Sequence, residues 1–270
     1  MINLDAACSV AESAARAAGE EIKKYIGKPL TTMEKSSPHD LVTEVDKRCQ
    51  AIIESALLSA YPDSQVLGEE AVDPGSAAAI KAVEAAEQRF LWVVDPIDGT
   101  LNFIRGIPFC SVSIGLVYEG HAVLGVIYDP MRDEMFSGVT GGITTVNGIP
   151  VHVTDEPDVF SAVLASGFPT GDFRGKNAEQ IRRFGHHARN VRAMGSAALH
   201  MAYVAAGRLD GFWENDLNAW DLLAGAVLVQ VAGGVVTDAD DRPYSLATRH
   251  VVATNGRIHA RLISDLRIGV

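Results

Sequence analysis

The run LWVVDPIDGTLNF, residues 91–103, joins a strand-like apolar stretch to a closely spaced pair of aspartates. Residues 91–94 are apolar and predict a buried strand, which the sequence DPIDGT at 95–100 interrupts. Pro96 removes a ladder donor and favours an extended residue before it, and Asp-Pro-Ile-Asp-Gly is typical of a turn. Two interpretations are open on this run alone. It is either a tight turn and nothing more, or a turn that places both carboxylates in a metal site for phosphate chemistry.

The residues after the second aspartate predict the start of a helix. If the turn folds back, we expect Thr100 to cap the next helical turn. The backbone N–H groups of Gly99 and Thr100 would then be free to bind an anion.

Composition limits the classes of function. The chain has 270 residues, of which 47% are hydrophobic, and its net charge is −11 at pH 7. This charge argues against direct binding of nucleic acid or of anionic membranes, but bound cations could still attract an anionic substrate. The three cysteines form no CxxC pair, and no charge-free apolar run approaches the ~20 residues of a membrane span. We therefore expect a cytoplasmic protein with reduced thiols and no signal peptide.

Helical and strand patterns alternate along the chain. Helices are predicted over residues 1–25, 41–62, 76–88, 177–188, 195–207 and 219–234 and after 256. Strands are predicted within residues 30–40, 64–70, 89–96, 162–167, 191–194, 209–215 and 235–238, with a hairpin over 109–130. These patterns favour a layered α/β sandwich with mixed sheets. A glycine-rich stretch at 138–150 predicts a seam between halves of about 1–140 and 141–270.

Further acids lie at the end of a predicted strand, at the start of a predicted helix and within another helix. Glu69 and Glu70 end an apolar strand, Asp221 begins an almost wholly apolar helix, and Asp46 lies in a helix whose other face is apolar. Taken one at a time, each has a simpler explanation. Glu69 and Glu70 could be exposed acids, Asp221 could be a helix cap, and Asp46 could lie on the solvated face of its helix. Together with the two aspartates of residues 95–100 they predict a hard-oxygen site for Mg²⁺, because no Cys/His spacing suits zinc.

Three segments in this order and spacing resemble the inositol monophosphatase family of Mg²⁺-dependent, lithium-sensitive phosphatases. They are GEE at 68–70, WVVDPIDGTLNF at 92–103 and WDLLAGAVLVQVAGG at 220–234. KSSPHDLVTEVD at 35–46 and GSAALHMAYVAAGRLDGFWE at 195–214 also look like that family, so the resemblance covers nearly the whole chain. It implies an αβαβα layered sandwich, commonly a homodimer, with the metal ions at its centre.

The resemblance also implies a set of metal ligands, carried over by position. Glu69, Asp95 and the carbonyl of Ile97 would hold a first Mg²⁺. Asp95, Asp98 and Asp221 would hold a second, and Glu69 could reach a third ion through waters. Two to three Mg²⁺ ions per active site are therefore expected.

The remaining implied roles concern catalysis and the substrate. Thr100, oriented by Asp46, would help Glu69 to deprotonate the attacking water, and Lys35 matches the lysine of a mobile loop near the metals. Substrate contacts are expected from Asp98, Gly99, Thr100, Gly195, Ser196, Ala197, Glu214 and Asp221. No nucleophilic Ser or Cys is required, so water would attack phosphorus directly.

The expected substrate is a small polyol phosphate, with myo-inositol 1-phosphate first. Histidinol phosphate is the close alternative, since Glu214 or Asp216 could bind an ammonium group. A third possibility is a bacterial regulatory role in which the protein binds a partner alongside its phosphatase activity. Val231 stands where many family members have an acid, and the connection at 138–151 is shorter than in animal members. These departures bear on substrate preference, because neither touches the expected metal ligands.

Overall fold

The protein is described by a computed structural model over residues 2–30, 32–34, 41–87, 89–169 and 171–267. Its α-helices are α1 (Leu4–Tyr25), α2 (Glu44–Ala60), α3 (Ser76–Ala85), α4 (Thr100–Arg105), α5 (Arg174–His187), α6 (Ala197–Ala205), α7 (Ala219–Val231) and α8 (His259–Arg267). Its β-strands are β1 (Thr32–Glu34), β2 (Leu41–Thr43), β3 (Gln65–Gly68), β4 (Phe90–Asp98), β5 (Ser111–Tyr118), β6 (His121–Asp129), β7 (Glu134–Val139), β8 (Thr145–Val146), β9 (Ile149–Pro150), β10 (Val163–Ser166), β11 (Asn190–Arg192), β12 (Gly211–Glu214), β13 (Val235–Asp238) and β14 (Val251–Thr254). None of these helices has the length and apolar character of a membrane span.

A seven-stranded sheet forms the first β layer, in the order β3-β4-β5-β6-β7-β8-β9. Both of its faces are covered, which explains why the predicted strands showed little alternation. In β4, Trp92 and Val94 pack into the cluster that α1 and α2 contribute to. Leu91 and Val93 point the other way and pack with Leu223 of α7.

A five-stranded sheet, β11-β10-β12-β14-β13, forms the second β layer. Residues of α6 and α7 fill the space between the two sheets. The outer face of the second sheet is covered by α5 and α8, where Phe184 and Leu262 pack around Trp213 of β12. The layers therefore alternate as αβαβα, and the predicted fold class is confirmed.

Helix α7 lies unusually close to the first sheet because three glycines form a row beneath it. Gly115, Gly125 and Gly138 are cross-strand partners on β5, β6 and β7. A Cβ atom on Gly125 would lie 2.2 Å from the carbonyl oxygen of Ala224, so only glycine fits. This close contact fixes the distance between the sheet and Asp221, which lies in the first turn of α7.

Some strands were not predicted. The chain forms β7, β8, β9 and β14 where no strand was expected, and β2 takes residues 41–43 from the start of the helix predicted over 41–62. The glycine-rich residues 138–150 contribute to the first sheet, which runs to Pro150, instead of forming only a connection. The division into halves near residue 140 stays a prediction.

Candidate active site

A β-bulge brings the two aspartates of β4 to the same face. Side chains three residues apart on a regular strand point to opposite faces. Asp95 pairs with Ser113 and Asp98 with Ser111, so β4 has one residue more than β5 between these pairs. The extra residue restores both aspartates to one side. The strand therefore continues to Asp98 instead of ending at Pro96, and the expectation that proline stops it was wrong in this detail.

Gly99 makes the sharp change from strand to helix. Its φ of +93° is left-handed, and it is the N-cap of α4. Thr100 is thus the first helical residue and not the cap that the sequence suggested. A Cβ atom on Gly99 would lie 2.9 Å from the carbonyl oxygen of Gly195, so the start of α4 and the turn before α6 are in close contact.

Three carboxylates meet at this point. One oxygen each from Asp95, Asp98 and Asp221 lies within 4.8 Å of the others. Asp95 and Asp98 are buried and Asp221 is half-buried. Like charges at this spacing need a cation or a proton between them, and a set of carboxylate oxygens suits Mg²⁺. The donor set therefore fits the predicted metal. Glu69 stands outside this group of three but lines the same cavity.

The N-terminus of α6 holds Asp98. The Ser196 hydroxyl and the Ala198 N–H, at 2.9 Å, donate to its Oδ2, and the Ala197 N–H donates to its Oδ1 at 3.3 Å. Burial raises the pKa of Asp98 from 3.8 to about 6, although these three donors act in the opposite direction; the nearby charge of Glu69 adds to the rise. Ser196 and Ala197 were predicted as substrate contacts, and the structure shows them hydrogen-bonded to Asp98.

Asp221 is held at the start of α7. The backbone N–H of Asn218 donates to its Oδ2 at 2.6 Å. Burial raises the pKa of Asp221 well above its usual value, and the charges of Glu69 and Asp98 raise it further. Bringing this carboxylate to the cluster therefore costs free energy that a cation can offset.

Thr100 connects the cluster to Asp46. Its hydroxyl lies 3.3 Å from Asp46 Oδ1 and 3.1 Å from the Ile97 carbonyl oxygen, and it can donate to one of them at a time. Asp46 Oδ2 accepts the N–H of Thr43 at 2.8 Å, as the acid of a capping box at the start of α2. Asp46 is therefore fixed, and the predicted Thr100–Asp46 pair is formed.

The predicted residues surround one cavity of about 340 Å³. Those that line it are Glu69, Asp95, Ile97, Asp98, Gly99, Thr100, Gly195, Ser196, Ala197, Glu214 and Asp221. Asp46 acts from behind Thr100. Lys35 lies outside the described residues. A second cavity of about 240 Å³ shares Glu69, Glu214 and Asp221 with the first.

Glu214 is a buried acid that has no hydrogen-bond donor among the described residues. Its side chain is only 8% exposed. Burial raises its pKa well above the usual value, and the charges of Asp221 and Asp98 add to this. Gly167 leaves the space for it, since a Cβ atom there would lie 2.1 Å from a Glu214 carboxylate oxygen.

Two polar residues of the site were missed from the sequence. Asn102 of α4 donates through Nδ2 to the carbonyl oxygens of Phe109, at 2.7 Å, and Met194, at 2.6 Å. It thus ties α4 to the turn before α6. Arg174, which also lines the cavity, donates to the Phe168 carbonyl at 3.2 Å. A polar residue within the apolar stretch of α4 was a signal for Asn102, but none identified its partners.

The comparisons with known proteins agree with this geometry. The model of the inositol monophosphatase family matches residues 3–269. The chain belongs to the inositol monophosphatase family. It is 37% identical over 259 residues to the inositol-1-monophosphatase of Synechocystis sp., covering 95% of this chain and 87% of that protein. It is also 37% identical over 265 residues to the Nus factor SuhB of Pseudomonas aeruginosa, covering 96% and 95%.

A solved structure of the same family has the same fold. The extragenic suppressor protein SuhB of Bartonella henselae superimposes with a TM-score of 0.88 at 34% identity, covering 98% of this chain and all of that chain. Family membership supports a phosphatase. The Mg²⁺ dependence of the inositol monophosphatase family matches the three-carboxylate cluster.

We predict that Mg²⁺ stabilises this protein more at neutral than at acidic pH. Because the folded pKa of Asp98 lies above its unfolded value, the folded state retains a proton that the unfolded chain loses between about pH 4 and pH 6. The metal-free protein should therefore lose on the order of 2–3 kcal/mol of stability as pH rises through this window. Mg²⁺ binds the deprotonated carboxylates, so its stabilising effect grows over the same window.

The measurement is the Tm of metal-stripped protein with and without Mg²⁺ from pH 4.5 to 8. The Mg²⁺-induced rise in Tm should be small at pH 5 and complete above pH 7. In Asp98→Asn the pH dependence of the metal-free Tm should flatten. A rise in Tm that is equal at all pH values would contradict the prediction.

Proposed function

We propose that the protein is a Mg²⁺-dependent phosphomonoesterase that hydrolyses a small polyol phosphate, with myo-inositol 1-phosphate as the first candidate. The observation that carries this proposal is the cluster of Asp95, Asp98 and Asp221 at the wall of a cavity that Glu214 also lines. The cluster thus suits a metal-bound phosphate, and Glu214 offers an acceptor for hydroxyl groups in the same cavity.

The proposed metal ligands are those named from the sequence. Glu69, Asp95 and the Ile97 carbonyl would hold one Mg²⁺, and Asp95, Asp98 and Asp221 another, with a third ion reached from Glu69. When bound, Mg²⁺ lowers the pKa of water and offsets charge on the phosphoryl oxygens. The chain's own task is to hold these carboxylates close together, which the bulge in β4 and the close packing of α7 accomplish.

Proton transfer is assigned to Glu69 and Thr100. When the Thr100 hydroxyl donates to Asp46, its oxygen can accept a hydrogen bond from one O–H of a water, which leaves the proton of the other O–H available for transfer. The Glu69 carboxylate, in the same cavity, can take up that proton as general base. Lys35 keeps its expected role near the metals, from the segment outside the described residues.

The substrate would lie between two walls of the cavity. Its phosphate is assigned to the first turn of α4, where the N–H groups of Gly99 and Thr100 have no intrahelical acceptor. Glu214 would accept hydroxyl groups of the leaving alcohol, beside the turn at Gly195 and the residues that follow it. The Ser196 hydroxyl is already donated to Asp98, so direct attack by water is favoured over a seryl intermediate.

Histidinol phosphate is the second candidate, and Glu214 is again the reason. A buried carboxylate without a partner is satisfied by an ammonium group at least as well as by hydroxyls. A partner-binding role alongside catalysis is a further proposal, motivated by relatives that are named Nus factor SuhB. A homodimer is proposed as the oligomeric state.

The test is a panel of phosphate esters assayed with Mg²⁺, with and without lithium. It includes inositol 1-phosphate, histidinol phosphate, fructose 1,6-bisphosphate and adenosine 3′,5′-bisphosphate. We expect inositol 1-phosphate to have the highest kcat/KM and lithium to inhibit its hydrolysis. If no ester is hydrolysed above background, the proposal fails. A preference of about 100-fold for histidinol phosphate, roughly 2.7 kcal/mol, would replace the first substrate by the second.

The variant Glu214→Gln separates the two substrates chemically. Glutamine still accepts hydrogen bonds from hydroxyls but has no charge to attract an ammonium. It should therefore weaken hydrolysis of histidinol phosphate much more than that of inositol 1-phosphate. The matched control is Glu179→Gln, on the exposed surface of α5, which should change neither rate.

A further inference from the structure

Arg249 lines the second cavity, which shares Asp221 with the first. It lies two residues before the start of β14, and its side chain is 15% exposed. It is the one cation among the described residues that line this cavity. The acids lining the same cavity are Glu69, Asp73, Glu214, Asp216 and Asp221. A single, largely covered guanidinium among five acids suggests a specific task.

The guanidinium holds three side chains at once. Its Nη2 donates to Asp216 Oδ1 at 2.7 Å and to Ser76 Oγ at 3.0 Å, and its Nη1 donates to Asn218 Oδ1 at 2.7 Å. The Ser76 hydroxyl also lies 3.1 Å from Asp216 Oδ1, which closes the network. The planar fork of arginine is suited to bonding in two directions, which a lysine cannot reproduce.

One branch of this network leads to the metal cluster. Asn218, fixed by Arg249 through its side chain, donates its backbone N–H to Asp221 at 2.6 Å. The Arg249 carbonyl also accepts the N–H of Leu217 at 2.9 Å. Asp216 has a left-handed φ of +61°, a strained conformation that the ion pair to Arg249 helps to hold. The segment 216–218 before α7 is therefore clamped by Arg249.

The other branch of the network leads through Ser76 to the segment that contains Glu69. Ser76 is the first residue of α3, and the segment between β3 and α3 begins with Glu69. Glu69 and Asp221 thus belong to two separate segments of the chain, and both residues line both cavities. Arg249 is bonded to the ends of both segments.

We propose that Arg249 is a positioning residue for the metal centre, which sets the placement of Asp221 through Asn218 and the spacing to the Glu69 segment through Ser76. This inference rests on the proposed function, since it concerns how tightly the cluster binds Mg²⁺. Arg249 belongs neither to the carboxylate cluster nor to the lining of the first cavity. Loss of such a supporting contact typically costs 10–100-fold in metal affinity.

The test compares Arg249→Met with the wild type after metal removal. Mg²⁺ is titrated by calorimetry and by the shift in Tm, and hydrolysis is measured over the same Mg²⁺ range. We expect Mg²⁺ to bind about 10–100-fold more weakly. At saturating Mg²⁺, kcat should return to within about threefold of the wild-type value, because the ligands themselves are intact. Arg249→Lys should lie between the two, since it keeps the charge without the fork.

The matched control is Arg242→Met. Arg242 is on the preceding loop, is 73% exposed and pairs with Asp238 and Asp240 at the surface, so the Mg²⁺ titration should not change. Arg249→Met leaves Asp216 without its ion-pair partner. If that variant does not fold, the double variant Arg249→Met/Asp216→Asn removes both charges and should show the same weakened titration.

The outcomes distinguish failure of the proposed function from failure of the positioning role. If the wild type gives no response to Mg²⁺, the proposed function falls and this inference falls with it. If the wild type responds and folded Arg249→Met titrates at the same Mg²⁺ concentration, only the positioning role is overturned. A lower Tm with an unchanged Mg²⁺ affinity would likewise assign Arg249 to structural support alone.

Discussion

The variant Asp95→Asn is expected to lose at least about 10³-fold in kcat/KM for phosphate-ester hydrolysis, equivalent to about 4 kcal/mol of transition-state stabilisation. Asp95 is buried in the three-carboxylate cluster and is the proposed ligand of both metal ions. Asparagine has the same shape, but its neutral amide binds Mg²⁺ far less well than a carboxylate does. The loss should therefore come from the metal centre and not from the fold.

The stability of the same variant tests this explanation. Asp95 Oδ1 accepts the Ile97 N–H at 3.0 Å, and the asparagine carbonyl can keep that bond. The substitution also removes one of three crowded negative charges. The metal-free Tm should therefore equal or exceed that of the wild type, whereas the rise in Tm with Mg²⁺ should shrink.

The control is Asp155→Asn, whose side chain is 95% exposed and lines neither cavity. It should retain full activity and the full response to Mg²⁺. If Asp95→Asn hydrolyses the best ester at more than a tenth of the wild-type rate, the assignment of the metal centre is wrong.

The sequence predicted the parts of the fold that depend on local pattern. Helical periodicity located α1, α5 and α7, and continuous apolar runs located β4 and β5. Strand β14 was missed although β12 and β13, which have the same length, were predicted. It lies between polar neighbours, and its pairing with β12 and β13 is a tertiary contact that the local sequence does not show.

The candidate site was predictable as a set of acids but not as a geometry. The motif identified Asp95 and Asp98, yet the bulge that brings them to one face exists only through pairing with β5. The hydrogen bonds from Ser196 to Asp98 and from Asn102 to Met194 join residues that are more than ninety positions apart. Contacts between distant segments have no local signature, and the network around Arg249 was missed for the same reason.

The glycine row under α7 is another contact between distant segments of the chain. It leads to the second prediction. Gly125→Ala should destabilise the protein by about 3 kcal/mol, which corresponds to a fall in Tm of roughly 6–12 °C. The new Cβ would lie 2.2 Å from the Ala224 carbonyl oxygen and 3.0 Å from its Cα, both of which are backbone atoms. No change of rotamer relieves this contact, so α7 must move away from the sheet.

A shift of α7 would carry Asp221 with it, and the variant should therefore also bind Mg²⁺ more weakly than the wild type. The matched control is Gly185→Ala within α5, where a Cβ would meet no atom within 4 Å. That variant should be unchanged or more stable by up to about 1 kcal/mol, because alanine loses less backbone entropy in a helix.

Thermal unfolding and Mg²⁺ titration of both variants check the prediction. If Gly125→Ala unfolds within 2 °C of the wild type, roughly 1 kcal/mol or less, then α7 does not rest on the backbone of the sheet. In that case the placement of Asp221 must depend on Asn218 and Arg249 instead of on the glycine row.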